Sequence, residues 1–144
     1  MNWIILAVLT AFCFGLYNFF IKVASGSINQ IAGAVILQIV AALVGGILLI
    51  YMKLSNQVLD VTSKGIYYSV LAGIAVGLAE ILTFIVFSKN IPASVGTPII
   101  IGGSILITAL LGIFFLKESL SFIQYVAVFM IIAGVGILSM GVKH

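Results

Sequence analysis

Charge is what this sequence has least of. Arginine is absent, the basic residues are six lysines, and the acids are Asp60, Glu80 and Glu118. Charged residues make up 6% of the chain against 64% hydrophobic. No water-soluble domain hides that much apolar surface behind so few charges. This excludes a soluble globule and leaves a polytopic membrane protein. No basic stripe is available for nucleic acid. Cys13 is the one cysteine, so no intrachain disulfide forms. The one histidine is His144, and there is no nucleophile–base pair, metal-ligand cluster or phosphate loop. An enzyme would need such groups, so neither catalysis nor a metal or cofactor is expected. The longest polar segment is Lys53–Lys64, too short for a soluble domain. All 144 residues read as a single transmembrane domain.

Five apolar stretches fill nearly everything else, over residues 3–21, 31–52, 66–87, 93–116 and 122–140. Each is about 20 residues, enough for a helix to cross the hydrocarbon core. Helices are required because each span must satisfy its own backbone, and a barrel would show alternating segments of about 10 residues. The first stretch lacks the basic flank and cleavage site of a signal peptide and reads as a transmembrane helix. Ser25-Gly26-Ser27, Asn56 with Asp60, Ser88–Pro92 and Lys117–Ser121 mark the connections. Ser121 with Gln124 has the spacing of a capping box. Trp3, Tyr51, Tyr67, Tyr68 and Tyr125 fall near span ends, where aromatic rings sit in the interface.

Five is odd, so the two termini are expected on opposite sides of the membrane. One side then holds Lys53, Lys64 and Lys117, and the other holds Lys22, Lys89 and Lys143. Lysine and arginine bias sets orientation, and acids contribute little. An even division predicts insertion both ways up, followed by antiparallel pairing. Many transporters are built from inverted repeats with the substrate site at their interface. No internal repeat is evident here, so a second, inverted copy would supply the other half.

Glu80 is the most informative residue. It lies inside the third span with apolar sequence on both sides, and intramembrane acids usually face a bundle interior or an aqueous cavity. A carboxyl there can hold a proton or a cationic substrate, which is the simplest antiport chemistry. The competing reading is a structural acid that ties helices together by hydrogen bonding. Gly73 and Gly77 form a small-xxx-small pair, and Thr83, Phe84 and Phe87 continue the stripe. Thr83 is placed to hydrogen-bond the carboxyl. Tyr17 and Asn18 in the first span, beside Phe14 and Ile21, are further substrate candidates, since a tyrosine ring near an acid helps bind an organic cation. Packing explains Asn18 equally well. In the fourth span, Pro98 removes a backbone donor, and Gly102, Gly103 and Ser104 open the helix surface to close approach. Pro98 reads as a hinge and the Gly102–Ser104 backbone as pocket lining, with ordinary close packing as the alternative. Gln38 is a weaker candidate. Glu118 beside Lys117 reads as a solvated pair at the membrane edge.

The run from Ile91 through Pro92 and Pro98, the segment Phe115–Ser119, Gln124 and Ala133–Gly136 resemble the end of an EamA-type domain of the drug/metabolite transporter superfamily. The opening segment Phe14–Lys22 is similar to that family's first helix. The family often has tryptophan where Phe14 stands and glycine where Lys117 stands. The resemblance covers essentially the whole chain and implies a single-domain, half-size member. It implies half of a ten-helix inverted-repeat fold, alternating access, and export or exchange of small metabolites or drugs.

The expected protein is therefore an all-α, five-helix membrane protein of a cell membrane, most simply a prokaryotic inner membrane. Its expected partners are a second copy of itself, a small-molecule substrate, the proton and the lipid bilayer. The alternatives are a subunit of a lipid-linked carrier flippase and a non-transporting membrane assembly protein.

Overall fold

The computed structural model describes residues 2–140. Lys143, used above in the lysine comparison, and His144 lie outside them. Every regular element among the described residues is an α-helix: α1 (Trp3–Ser25), α2 (Gln30–Leu54), α3 (Ser63–Ser88), α4 (Ala93–Phe115) and α5 (Phe122–Met140). Each is long and apolar enough to cross a membrane. With a rise of about 1.5 Å per residue, α3 extends roughly 39 Å and α5 roughly 28 Å, against a hydrocarbon core of about 30 Å.

The helix ends follow caps rather than hydropathy. α1 continues past Ile21 to Ser25, α3 starts at Ser63 rather than Ile66, and α4 stops at Phe115. Asn2 Oδ1 accepts from the N–H of Ile4 at 3.2 Å. Asn29 Oδ1 accepts from Ile31 at 3.0 Å and Ala32 at 3.2 Å, and Thr62 Oγ1 accepts from Gly65 at 3.1 Å. Each cap satisfies donors that the first helical turn leaves free. At α5 the expected capping box is formed: Ser121 N–H donates to Gln124 Oε1 at 2.7 Å, and Gln124 N–H donates to Ser121 Oγ at 3.4 Å.

Three helices leave through residues in the left-handed region: Asn56 (φ 52°), Asn90 (φ 60°) and Lys117 (φ 56°). Asparagine visits that region more readily than most side chains. Lysine does not, so Lys117 is the least accommodating of the three. The turn is held by Gly112 O, which accepts from the N–H groups of Leu116 and Glu118 at 3.1 Å each.

The chain divides into two compact units, one ending at Asn90 and the other beginning at Ile91. In the first unit α3 packs on both α1 and α2, and α1 also touches α2. Ile21, Ala34, Phe84 and Phe87 form its core, flanked by Tyr17, Ala24, Ile28 and Leu37. In lipid, apolar side chains gain little by leaving the surrounding hydrocarbon, so helix contacts depend on close packing. Gly33 provides it: a Cβ there would stand 2.6 Å from Phe84 Cε1. In the second unit α4 packs on α5. Its buried positions on α4 are Gly96, Gly102 and Gly112, and α5 buries none of its own residues.

Candidate substrate and proton site

The buried residues of α3 are Glu80, Thr83, Phe84 and Phe87. They recur at i, i+3, i+4 and i+7 and so share one face of the helix. That face meets α1, whose buried residues are Asn18, Ile21 and Ser25. The Glu80 carboxyl, 7% exposed, lies near the Tyr17 hydroxyl. Phe14 holds the Tyr17 ring edge-on, with centroids 5.9 Å apart and planes at 89°.

Glu80 Oε2 has no hydrogen-bond partner. The other buried polar side chains of α1 and α3 donate to backbone carbonyls instead. Asn18 Nδ2 donates to Phe14 O at 2.8 Å, one turn back on its own helix. Thr83 Oγ1 donates to Ala79 O at 2.8 Å. The hydrogen bond expected from Thr83 to the carboxyl is therefore not made, because the i−4 carbonyl is the nearer acceptor for a threonine within a helix. An orphaned buried acceptor costs about 1–3 kcal/mol, a cost that a proton or a ligand's N–H removes.

Other residues singled out by sequence have different surroundings. Gly77 faces α2, where its Cβ would stand 3.5 Å from Gln38 Nε2, which brings Gln38 one turn from Glu80. Gly73 was expected to share that close face, but a Cβ there would meet nothing within 4 Å. Helix α3 is approached closely at its Gly77 end and not a turn earlier. In the second unit, Gly102 was expected to offer its backbone to substrate. Instead Val135 of α5 lies directly over it, with Ile131 beside it, so Gly102 is a packing position. Gly103 has open space where its Cβ would stand. Ser104 is exposed and donates to Ile101 O at 2.7 Å. α4 runs through Pro98 as one helix.

Lys22 was read only as a charge that biases orientation. The structure gives it a local role as well. Its ammonium donates to Phe87 O at 3.0 Å and lies 5.9 Å from the Phe87 ring centroid. It thus caps a free carbonyl at the end of α3, where a cation is favoured by the helix dipole. Ser25, one turn on, donates to Lys22 O at 2.9 Å. Neither contact has a sequence signal, whereas the small-residue run Ala32-Gly33-Ala34, not singled out above, is a signal that could have located the approach of Phe84 to α2. Among the described residues no group of three or more His, Cys, Asp or Glu comes together.

A family model for EamA-like transporters matches residues 1–140 of the 144. The chain belongs to the EamA-like transporter family. No curated protein and no solved structure matches it. This EamA-like protein is accordingly a multi-pass membrane protein of a drug/metabolite transporter family, with five membrane-crossing helices. Its one intramembrane acid, Glu80, lies on the buried face between α1 and α3.

Proposed function

We propose that this EamA-like protein is a proton-coupled exporter or exchanger of small organic solutes in a cell membrane. It works as an antiparallel homodimer of chains inserted in both orientations. Glu80 of each protomer is the exchange site, holding a proton in one half-cycle and a cationic substrate in the other. Tyr17 lies near the carboxyl and offers its ring to the cation. Competition of proton and substrate for one carboxyl couples the two fluxes, and alternating access moves the site from one side to the other. The single observation that carries this reading is the buried Glu80 carboxyl with an unpartnered oxygen inside a membrane-crossing helix. The odd helix count and the even lysine division support the inverted partner.

Proteoliposomes test this with two permanently charged organic cations, phenethylguanidinium and phenethyltrimethylammonium. An inside-acid pH gradient should drive uptake of at least one of them with matched proton efflux, and Glu80→Gln should stop both fluxes. Uptake of neither cation, or uptake unaffected by Glu80→Gln, removes the reading.

A further inference from the structure

The orphaned oxygen carries information about what the site accepts. Glu80 Oε2 is enclosed, and no protein group donates to it. Tyr17 is the polar side chain that lies near the carboxyl, and it makes no hydrogen bond to Oε2. The buried side chains Asn18 and Thr83 each donate to a carbonyl of their own helix, and neither donates to Oε2. The ammonium of Lys22 is held at Phe87 O, seven residues and about 10 Å further along α3. A charge alone, such as a quaternary ammonium, would neutralise the carboxylate yet leave Oε2 without a hydrogen bond. A site built to hydrogen-bond a ligand rejects analogues that lack the matching group far more strongly than an apolar pocket rejects a size change.

Tyr17 also links this carboxyl to an apolar groove. The groove, ≈ 260 Å³, is lined by Tyr17, Phe20, Gly33, Ile36, Leu37 and Phe84 among others, all from α1, α2 and α3. It lies just below the usual range of ligand pockets, about 300–1,000 Å³, which suits one ring or a short alkyl chain. Gly33 lines it beneath the Phe84 ring, which occupies the space a larger residue would need. At the start of α3, the hollow of ≈ 490 Å³ near Asp60, Thr62 and Ser69 has no comparable enclosed acceptor.

We infer that the substrate is a cation bearing N–H donors, an ammonium or guanidinium, on a small apolar body. Its N–H group donates to Glu80 Oε2, and its apolar body lies in the groove against Tyr17 and Phe84. Gln38, which packs at Gly77 one turn from Glu80, offers a second acceptor for the same head group. This inference rests on the proposed role of Glu80 and narrows it from any organic cation to a donor-bearing one.

The test compares the same two cations, which share body and charge and differ in donors. Binding is measured by calorimetry on the full chain in nanodiscs, with proton release followed by a pH dye. Phenethylguanidinium should bind at least tenfold more tightly than phenethyltrimethylammonium, and Glu80→Gln should reduce the difference to less than twofold. Ile36→Trp, which fills the groove, should weaken phenethylguanidinium at least fivefold while changing methylguanidinium less than twofold. Equal or tighter binding of the quaternary cation overturns the inference. If that cation also releases protons through Glu80, the exchange reading survives. If neither cation binds, both fall. Equal effects of Ile36→Trp on the two guanidinium compounds remove the groove from the site.

Discussion

The first unit encloses polar groups and the second encloses almost none. Between α1 and α3, Asn18, Ser25, Glu80 and Thr83 are all buried. On α4 the buried residues are glycines, and α5 has none. Both units solve the same problem, which is to hold apolar helices together where lipid is as apolar as they are. The second does so by removing side chains at Gly102. The first does so at Gly33, where α2 meets α3, and then places a carboxyl where α3 meets α1. The contact of α4 with α5 at Gly102 is made by Val135 and Ile131 without an acid, and the second unit's Glu118 packs over Gly112 from the turn after α4 rather than inside a span. An enclosed Glu80 with a spare oxygen is an expense of the first unit that packing does not require.

The sharpest way to break this comparison is Glu80→Gln. The exchange of a carboxylate for a neutral amide should weaken binding of a cationic substrate by at least about 30-fold, as loss of a buried charge partner does. It should leave thermal stability in detergent unchanged or higher. A fall in stability as large as the fall in binding would mean that Glu80 serves packing after all.

Gly33→Ala and Gly102→Ala set the two units side by side. Each introduces a methyl into an occupied space, against Phe84 in one case and Val135 in the other. Each should cost about 1–3 kcal/mol through overpacking, read from denaturant unfolding in mixed micelles. Gly33→Ala should also reduce affinity for phenethylguanidinium per folded molecule, because Phe84 lines the groove. If Gly102→Ala weakens affinity per folded molecule as much, the division between the units is wrong.

Lys22→Met removes the cap from α3 while keeping the aliphatic stem. The Lys22 ammonium is partly exposed, so the loss should be about 1 kcal/mol. It should appear as faster hydrogen exchange at Ser88 and Lys89, with the centre of α3 unaffected. The smallest effect is expected from Lys117→Gly. It relieves a left-handed lysine and should stabilise the second unit by up to about 1 kcal/mol. It also leaves two lysines on one side against three on the other. Carboxyl-terminal reporters active on opposite sides of the membrane should shift toward an intracellular carboxyl terminus. Equal reporter signals before and after the change would show that lysine balance does not set orientation here.

Much of this was legible from residue order alone. The stripe Glu80, Thr83, Phe84 and Phe87 was apparent from helical spacing and is the buried face of α3. The capping box at Ser121 and Gln124 was equally apparent, because caps depend on residues a turn apart. Gly73 and Gly102 were less legible. A glycine in an apolar helix signals that close approach is possible, not which neighbour makes it. Thr83 was read correctly for its face and incorrectly for its bond, since its own backbone competed successfully for the hydroxyl. The helices are apolar on nearly every side, so no polar face reveals how each is rotated about its axis.

Residue order by itself determined five membrane-crossing helices, the capping box of the fifth, the near-absence of charge and one acid deep in the third span. Those follow from local rules: length against bilayer thickness, backbone satisfaction within a segment, and the cost of a charge in hydrocarbon. Tertiary structure alone decided that Lys22 caps α3, that Phe84 rests on Gly33, that Val135 covers Gly102, and that one oxygen of Glu80 has no donor. Each of these depends on which faces of different helices meet, and all-round apolar helices do not encode that choice locally.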